Sequence, residues 1–145
     1  MTNVLSISRL EDCRVYELPE FADTRGVLTP IESNCHLPFD FSRVFYVYRL
    51  AAGASRGKHA QKQGKQFIIC LVGGVDVELD DGLFKRTVRL DRPTMGLYVP
   101  QMIWTTQGNF TSDCVYLVLA SGSYDKRDYV RNYEDFLRLV SAQSG

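Results

Sequence analysis

The chain reads as an all-β protein, a sandwich or barrel of short strands closed by one short C-terminal helix. Three observations carry this expectation. Between residues 15 and 119, short apolar segments are broken repeatedly by turn residues, a spacing that suits packed sheets and not a helical bundle. Over residues 75–79, two valines and a leucine alternate strictly with Asp76 and Glu78, which predicts a strand with one face inward. Helical spacing emerges only near the end, where Phe136, Leu139 and Val140 would share a face.

In chain order, the clearest strands are residues 26–31, 44–50, 66–72, 75–79, 84–90, 95–99 and 115–120. Gly73-Gly74 and Asp80-Asp81-Gly82 separate three of them, and both supply the positive φ angles of tight hairpins. A three-strand meander over 66–90 is therefore predicted. Residues 67–72 are apolar throughout, which predicts a central strand covered on both faces, in part by a second subunit. Asn132 is placed to cap a helix starting at Tyr133, and Glu134 and Asp135 give it the acidic first turn that the helix dipole favours. Residues 142–145 are expected to fray.

The 145 residues suffice for a single domain, 1–145, and are too few for separate catalytic and cofactor domains. Seventeen basic residues balance seventeen acidic ones, so the basic footprint of a nucleic-acid binder is absent. Cys13, Cys35, Cys70 and Cys114 form no C-x-x-C pair and read as reduced, core-filling residues. No basic leader opens the sequence, and no apolar run reaches the ~20 residues that span a bilayer. A cytoplasmic protein without membrane contact is expected.

The segment Ser55-Arg56-Gly57-Lys58-His59-Ala60-Gln61 is the most informative. Around it, in order, stand Asp23-Thr24-Arg25-Gly26, Arg43-Val44-Phe45-Tyr46-Val47-Tyr48, Leu79-Asp80-Asp81-Gly82, Gly96-Leu97-Tyr98-Val99-Pro100, Ser112-Asp113-Cys114 and the tyrosine-rich run from Tyr124 to Tyr133. Over residues 22–137 this series resembles the nucleotide-sugar 3,4-ketoisomerases of the cupin superfamily, whose central segment reads R-G-x-H-A-H. The resemblance implies a cupin-type (RmlC-like) jelly-roll β-barrel. It also implies a homodimer in which residues 15–31 exchange or pack across the interface. The implied activity moves the keto group of a dTDP-linked keto-deoxysugar from C4 to C3, for deoxyamino-sugar synthesis, with no cofactor. A non-catalytic sugar-nucleotide binder, or an epimerase or dehydratase on the same substrate class, are the alternatives.

On an extended strand, His59 and Gln61 project to one face while Lys58, Ala60 and Lys62 project to the other. No metal is expected there: a cupin metal site wants H-x-H and a following glutamate, whereas this chain has one histidine, no nearby acid, and Lys65. His36 falls in a loop. Ketoisomerisation needs a group that titrates near neutrality and donors for the developing oxyanion, and His59 is the candidate for proton transfer.

The resemblance places a pocket tyrosine in the Arg43–Tyr48 segment, Tyr46 as catalytic partner of His59, with Tyr48 beside it as a substrate contact. Arg25 and Arg56, each before a glycine, would bind pyrophosphate or sugar through paired donors. Trp104 and Thr105, expected as substrate contacts, occupy a position where the family commonly has tryptophan followed by histidine or arginine. Thr105 and Gln61 are thus departures that remove titratable groups; both can still hydrogen-bond a sugar.

Overall fold

In the computed structural model, which describes residues 5–144, two five-stranded antiparallel sheets face each other across the main core. The strands are β1 (Arg14–Glu17), β2 (Phe21–Asp23), β3 (Gly26–Leu28), β4 (Arg43–Val47), β5 (Arg56–Gln61), β6 (Gln66–Val72), β7 (Val75–Asp80), β8 (Lys85–Leu90), β9 (Met95–Val99), β10 (Trp104–Gly108), β11 (Val115–Ala120) and β12 (Tyr129–Val130), followed by α1 (Tyr133–Ser144). The first sheet runs β1-β9-β6-β11-β4, the second β12-β5-β10-β7-β8. From β4 onward, chain neighbours alternate between the two sheets except at the β7–β8 hairpin, the mark of a jelly roll.

The inward face of β7 is as the alternation predicts: Val75, Val77 and Leu79 are buried with Ile68, Cys70, Leu97 and Val118 between the sheets. β7 and β8 form a hairpin in which the Asp81 carboxylate accepts from the Leu83 and Phe84 amides at 2.8 Å. The predicted meander fails at its first link. β6 pairs with β9 and β11, not with β7, and Gly73-Gly74 carries the chain across to the other sheet. A Cβ at Gly73 would lie 2.0 Å from Thr111 Oγ1, and its φ is +74°, so the close crossover requires glycine.

β6 is covered on both faces at its first five residues, but by this same chain. Ile68 and Cys70 face the sandwich interior, while Phe67 and Ile69 lie beneath Leu18, Leu37 and Phe39. Leu71 and Val72 are exposed. The strand expected over 26–31 stops at Leu28 and pairs only with β2. The β2–β3 hairpin exposes Phe21, Val27 and Leu28, each above 60%.

Helix α1 begins as predicted: Asn132 Oδ1 accepts from the Asp135 amide at 3.0 Å. Its apolar face, Phe136 and Val140, packs with Ala60, Met102 and Trp104 on the outer side of the second sheet. That packing extends the helix to Ser144, past the point where fraying was expected, and Gly145 lies outside the described residues. Cys13, Cys70 and Cys114 are buried thiols, with burial pushing Cys13 and Cys70 up to about 12. Cys35 departs from the expectation and is exposed. No helix among the described residues is long and apolar enough to cross a membrane.

Candidate active site

β5 shapes the site through a bulge. Thr105 of β10 stands opposite His59 and Thr106 opposite Gly57, leaving Lys58 without an opposing residue. Gly57 (φ +83°) and Lys58 (φ +58°) both take left-handed conformations, and such a bulge bends the strand and re-aims its side chains. A Cβ on Gly57 would approach Gln107 Oε1 to 2.8 Å and the Thr105 carbonyl oxygen to 2.9 Å. Glycine at position 57 is thus a requirement of the backbone just ahead of His59.

Past the bulge, His59 and Gln61 project to the same side, as the alternation predicts, and line a narrow space with Gln66 and Thr105. His59 also borders an adjoining cavity of about 80 Å³ walled by Phe45, Arg56, Gln107, Tyr116 and Tyr129. The lining is polar but poor in charge: Gln61, Gln66, Thr105 and Gln107 are all buried. Arg56 hydrogen-bonds the Tyr116 hydroxyl, which partly offsets the upward push of burial on that phenol.

The His59 ring meets the Tyr129 ring edge-on, centroids 4.9 Å apart at 85°. Arg43 Nη2 donates to Tyr129 Oη at 3.0 Å, and the Arg131 guanidinium lies 4.7 Å from the Tyr129 ring centre. Burial lowers the His59 pKa below its ordinary 6.5, the Arg131 charge lowers it further, and a backbone hydrogen bond at Gly57 pulls partly the other way. The folded protein therefore holds this imidazole neutral more readily than the unfolded chain does. Between the lowered value and about 6.5 the unfolded chain binds more protons, so the His59 contribution to stability is present above about pH 6.5 and falls as the pH drops through that window.

The other residues singled out in the sequence are distributed unevenly. Gln61, Thr105 and Arg56 line the space around His59. Tyr46 and Tyr48 do not: β4 turns Arg43, Phe45 and Val47 inward, leaving Tyr46 (61% exposed) and Tyr48 (52%) stacked on each other outside. The alternation on β4 holds, with the opposite phase to that expected. Trp104, expected to contact substrate, is packed under α1, 5.2 Å from the Tyr133 ring and 5.7 Å from Phe136. Thr105, its neighbour, takes the inward face. Arg25 sits at the turn of the β2–β3 hairpin, its side chain 88% exposed and paired with Asp23 at 2.6 Å. Sequence reasoning assigned no role to Tyr129, Arg43, Gln66 or Gln107. Tyr129 lies in the quoted tyrosine-rich run, a signal that was available; the two glutamines carried none.

Glu32, Cys35 and His36 bring three potential metal ligand atoms within 4.8 Å. His36 Nδ1, however, accepts from the Glu32 amide at 2.9 Å, so the neutral ring carries its proton on Nε2, the nitrogen facing Cys35 at 3.7 Å. That tautomer presents no imidazole lone pair to a cation in the cluster.

Compared with known proteins, residues 11–141 match the family model described as FdtA: WxcM-like, C-terminal. The chain belongs to this family. A TDP-4-oxo-6-deoxy-alpha-D-glucose-3,4-oxoisomerase of Aneurinibacillus thermoaerophilus is 40% identical over 128 residues, 88% of this chain and 92% of that protein. QdtA, a sugar 3,4-ketoisomerase from Thermoanaerobacterium thermosaccharolyticum solved in complex with TDP, superimposes with a TM-score of 0.89 at 36% identity, covering 93% of this chain and 98% of that one. WlaRB, the TDP-quinovose 3,4-ketoisomerase of Campylobacter jejuni, gives 0.85 at 38% identity over 88% and 98% of the two chains. This chain thus has the jelly roll, a bulged β5 ahead of His59, and Gln61 and Thr105 inside the cavity.

Proposed function

We propose that this FdtA-family chain is a sugar-nucleotide 3,4-ketoisomerase that moves the keto group of a dTDP-linked 4-keto-6-deoxyhexose from C4 to C3 by acid–base catalysis. The observation that carries this reading is His59: a half-buried, neutral-leaning imidazole aimed by a bulge into a cavity lined by hydrogen-bonding side chains. The C4 carbonyl acidifies the proton on C3. Neutral His59 removes it, an enediolate forms, the hydroxyl proton passes from O3 to O4, and the same imidazolium returns its proton to C4, leaving the ketone at C3 and a hydroxyl at C4. Gln61 and Thr105 orient the sugar hydroxyls without titrating, and Arg56 supplies positive charge at the cavity wall. The lining amides and hydroxyl offer poor ligands for a transition metal, so the chemistry rests on proton transfer.

The deciding experiment is incubation with dTDP-4-keto-6-deoxyglucose in deuterated water, following C3 and C4 by NMR. Migration of the carbonyl supports the reading; exchange at C3 alone supports an epimerase-like protein. No change at either carbon supports a sugar-nucleotide binder, a reading favoured by Gln61 and Thr105. With His59 as base, kcat should fall on an acidic limb centred below pH 6.5. Arg131→Gln, which removes the charge that helps depress His59, should move that limb upward, as a pH–rate profile would show.

The assembly is a homodimer built through the N-terminal hairpin. A two-stranded hairpin is marginal alone in water, yet β2–β3 displays Phe21, Val27 and Leu28, and the outer side of the first sheet displays Val44, Tyr46, Tyr48 and Leu71. A second copy covers both surfaces, and Arg25 at the hairpin turn reaches substrate only across such an interface. Sedimentation at micromolar concentration should give a dimer, and Phe21→Ser with Leu28→Ser should shift it toward monomer. A monomeric wild-type chain would count decisively against this arrangement.

A further inference from the structure

We propose that Tyr129 is a catalytic proton donor to the substrate's keto oxygen and that Arg43 is the positioning residue that holds its phenolate; this rests on the ketoisomerase reading above. Among the described residues, two buried side-chain polar atoms have no hydrogen-bond partner: Arg43 Nε and His59 Nδ1. Tyr129 touches both of the residues that carry them, through the edge-on ring contact with His59 and the 3.0 Å bond from Arg43 Nη2. Buried polar groups are almost always paired, so two orphans joined by one tyrosine mark the place where a polar reactant belongs. β12 is hydrogen-bonded to β5 with Tyr129 opposite Gln61, which fixes the phenol at the wall of the His59 cavity. The Arg43 guanidinium is held near the Phe45 and Tyr124 rings, 5.3 and 5.5 Å from their centres.

Because Arg43 donates to Tyr129 Oη, the phenol acts there as acceptor and its own proton is left for another oxygen. The steps balance without any added reactant. His59 takes the proton from C3 as the C3–C4 double bond forms and the C4 carbonyl opens, and Tyr129 gives its proton to O4. Arg43 stabilises the resulting phenolate. Phenolate then recovers the proton from the C3 hydroxyl as the C3 carbonyl forms, and His59 returns its proton to C4. The charged and titratable groups facing the phenol are His59 from β5, Arg43 from β4, Tyr124, and Arg131.

Tyr129→Phe keeps the ring contacts and removes only the hydroxyl. With wild type active, this variant should lose about 10²-fold in kcat with KM little changed, and Tyr129→Phe within about twofold of wild type would overturn the proposal alone. The alkaline limb of the kcat profile is the second readout, one that a merely structural hydroxyl would not move. It should be present in wild type and absent from Tyr129→Phe, with Arg43→Gln lowering kcat and leaving KM little changed. An alkaline limb unchanged in Tyr129→Phe would also overturn the proposal. A wild-type chain that neither moves the carbonyl nor exchanges C3 would overturn the ketoisomerase reading and this proposal together.

Discussion

His59→Asn is expected to lower kcat by about 10²-fold or more while leaving TDP binding and the melting temperature close to wild type, the usual scale for losing a general acid–base group. Asparagine preserves a planar polar side chain on the bulged strand but cannot carry a proton between C3 and C4. Gln61→His is the complementary variant. Gln61 projects to the same side of β5 as His59 and lines the same space, so histidine there restores the H-A-H pattern of the related enzymes and should raise a weak isomerase activity. Unchanged turnover in His59→Asn, combined with no gain in Gln61→His, would show that β5 does not perform the proton transfer. The two variants together separate an active site from a binding site that has lost its chemistry.

The features legible in the sequence were those fixed by local pattern. β7 alternates between buried aliphatic and more exposed acidic residues, β9 and β11 fall where apolar runs meet turn residues, and Asn132 announces α1. The phase of β4 was not legible. Val44, Tyr46 and Tyr48 on one side look as apolar as Phe45 and Val47 on the other, so a period of two exists without saying which face is inside. β10 was missed because Trp104, Thr105, Thr106 and Gln107 mix an aromatic with polar groups, and both of its faces are covered, one by α1 and one by the cavity. Gly73-Gly74 had the chemistry of a hairpin, yet the apolar run 67–72 of β6 needed the sandwich interior on one side and the chain's own loop on the other, so the chain crossed sheets instead. The Arg43–Tyr129 contact spans 86 residues, a separation that no local pattern encodes.

Phe67→Ala should be among the most destabilising single substitutions in the chain, by about 3–5 kcal/mol, the usual cost of emptying a buried aromatic site. For a domain of this size that corresponds to a fall in Tm of roughly 10–15 °C. Phe67 is fully buried on the outer side of β6, its ring 5.8 Å from that of Tyr16, beneath Leu18, Leu37 and Phe39. On β9, next to Phe67's own partner Tyr98 and Leu97, Gly96 leaves room for the ring: a Cβ there would lie 2.1 Å from Phe67 Cζ and 2.3 Å from Cε2. Gly96 does not occupy the left-handed region, so the obstacle to a side chain is the rigid ring and not the backbone. Gly96→Ala in the wild-type background should therefore cost about 1–3 kcal/mol by overpacking. In the Phe67→Ala background the same methyl enters the space the ring has vacated, and its cost should disappear or reverse. A double-mutant cycle by chemical denaturation should give a coupling of at least about 1 kcal/mol between the two positions. Equal costs for Gly96→Ala in both backgrounds would mean that the glycine is required for some reason other than the approach of Phe67.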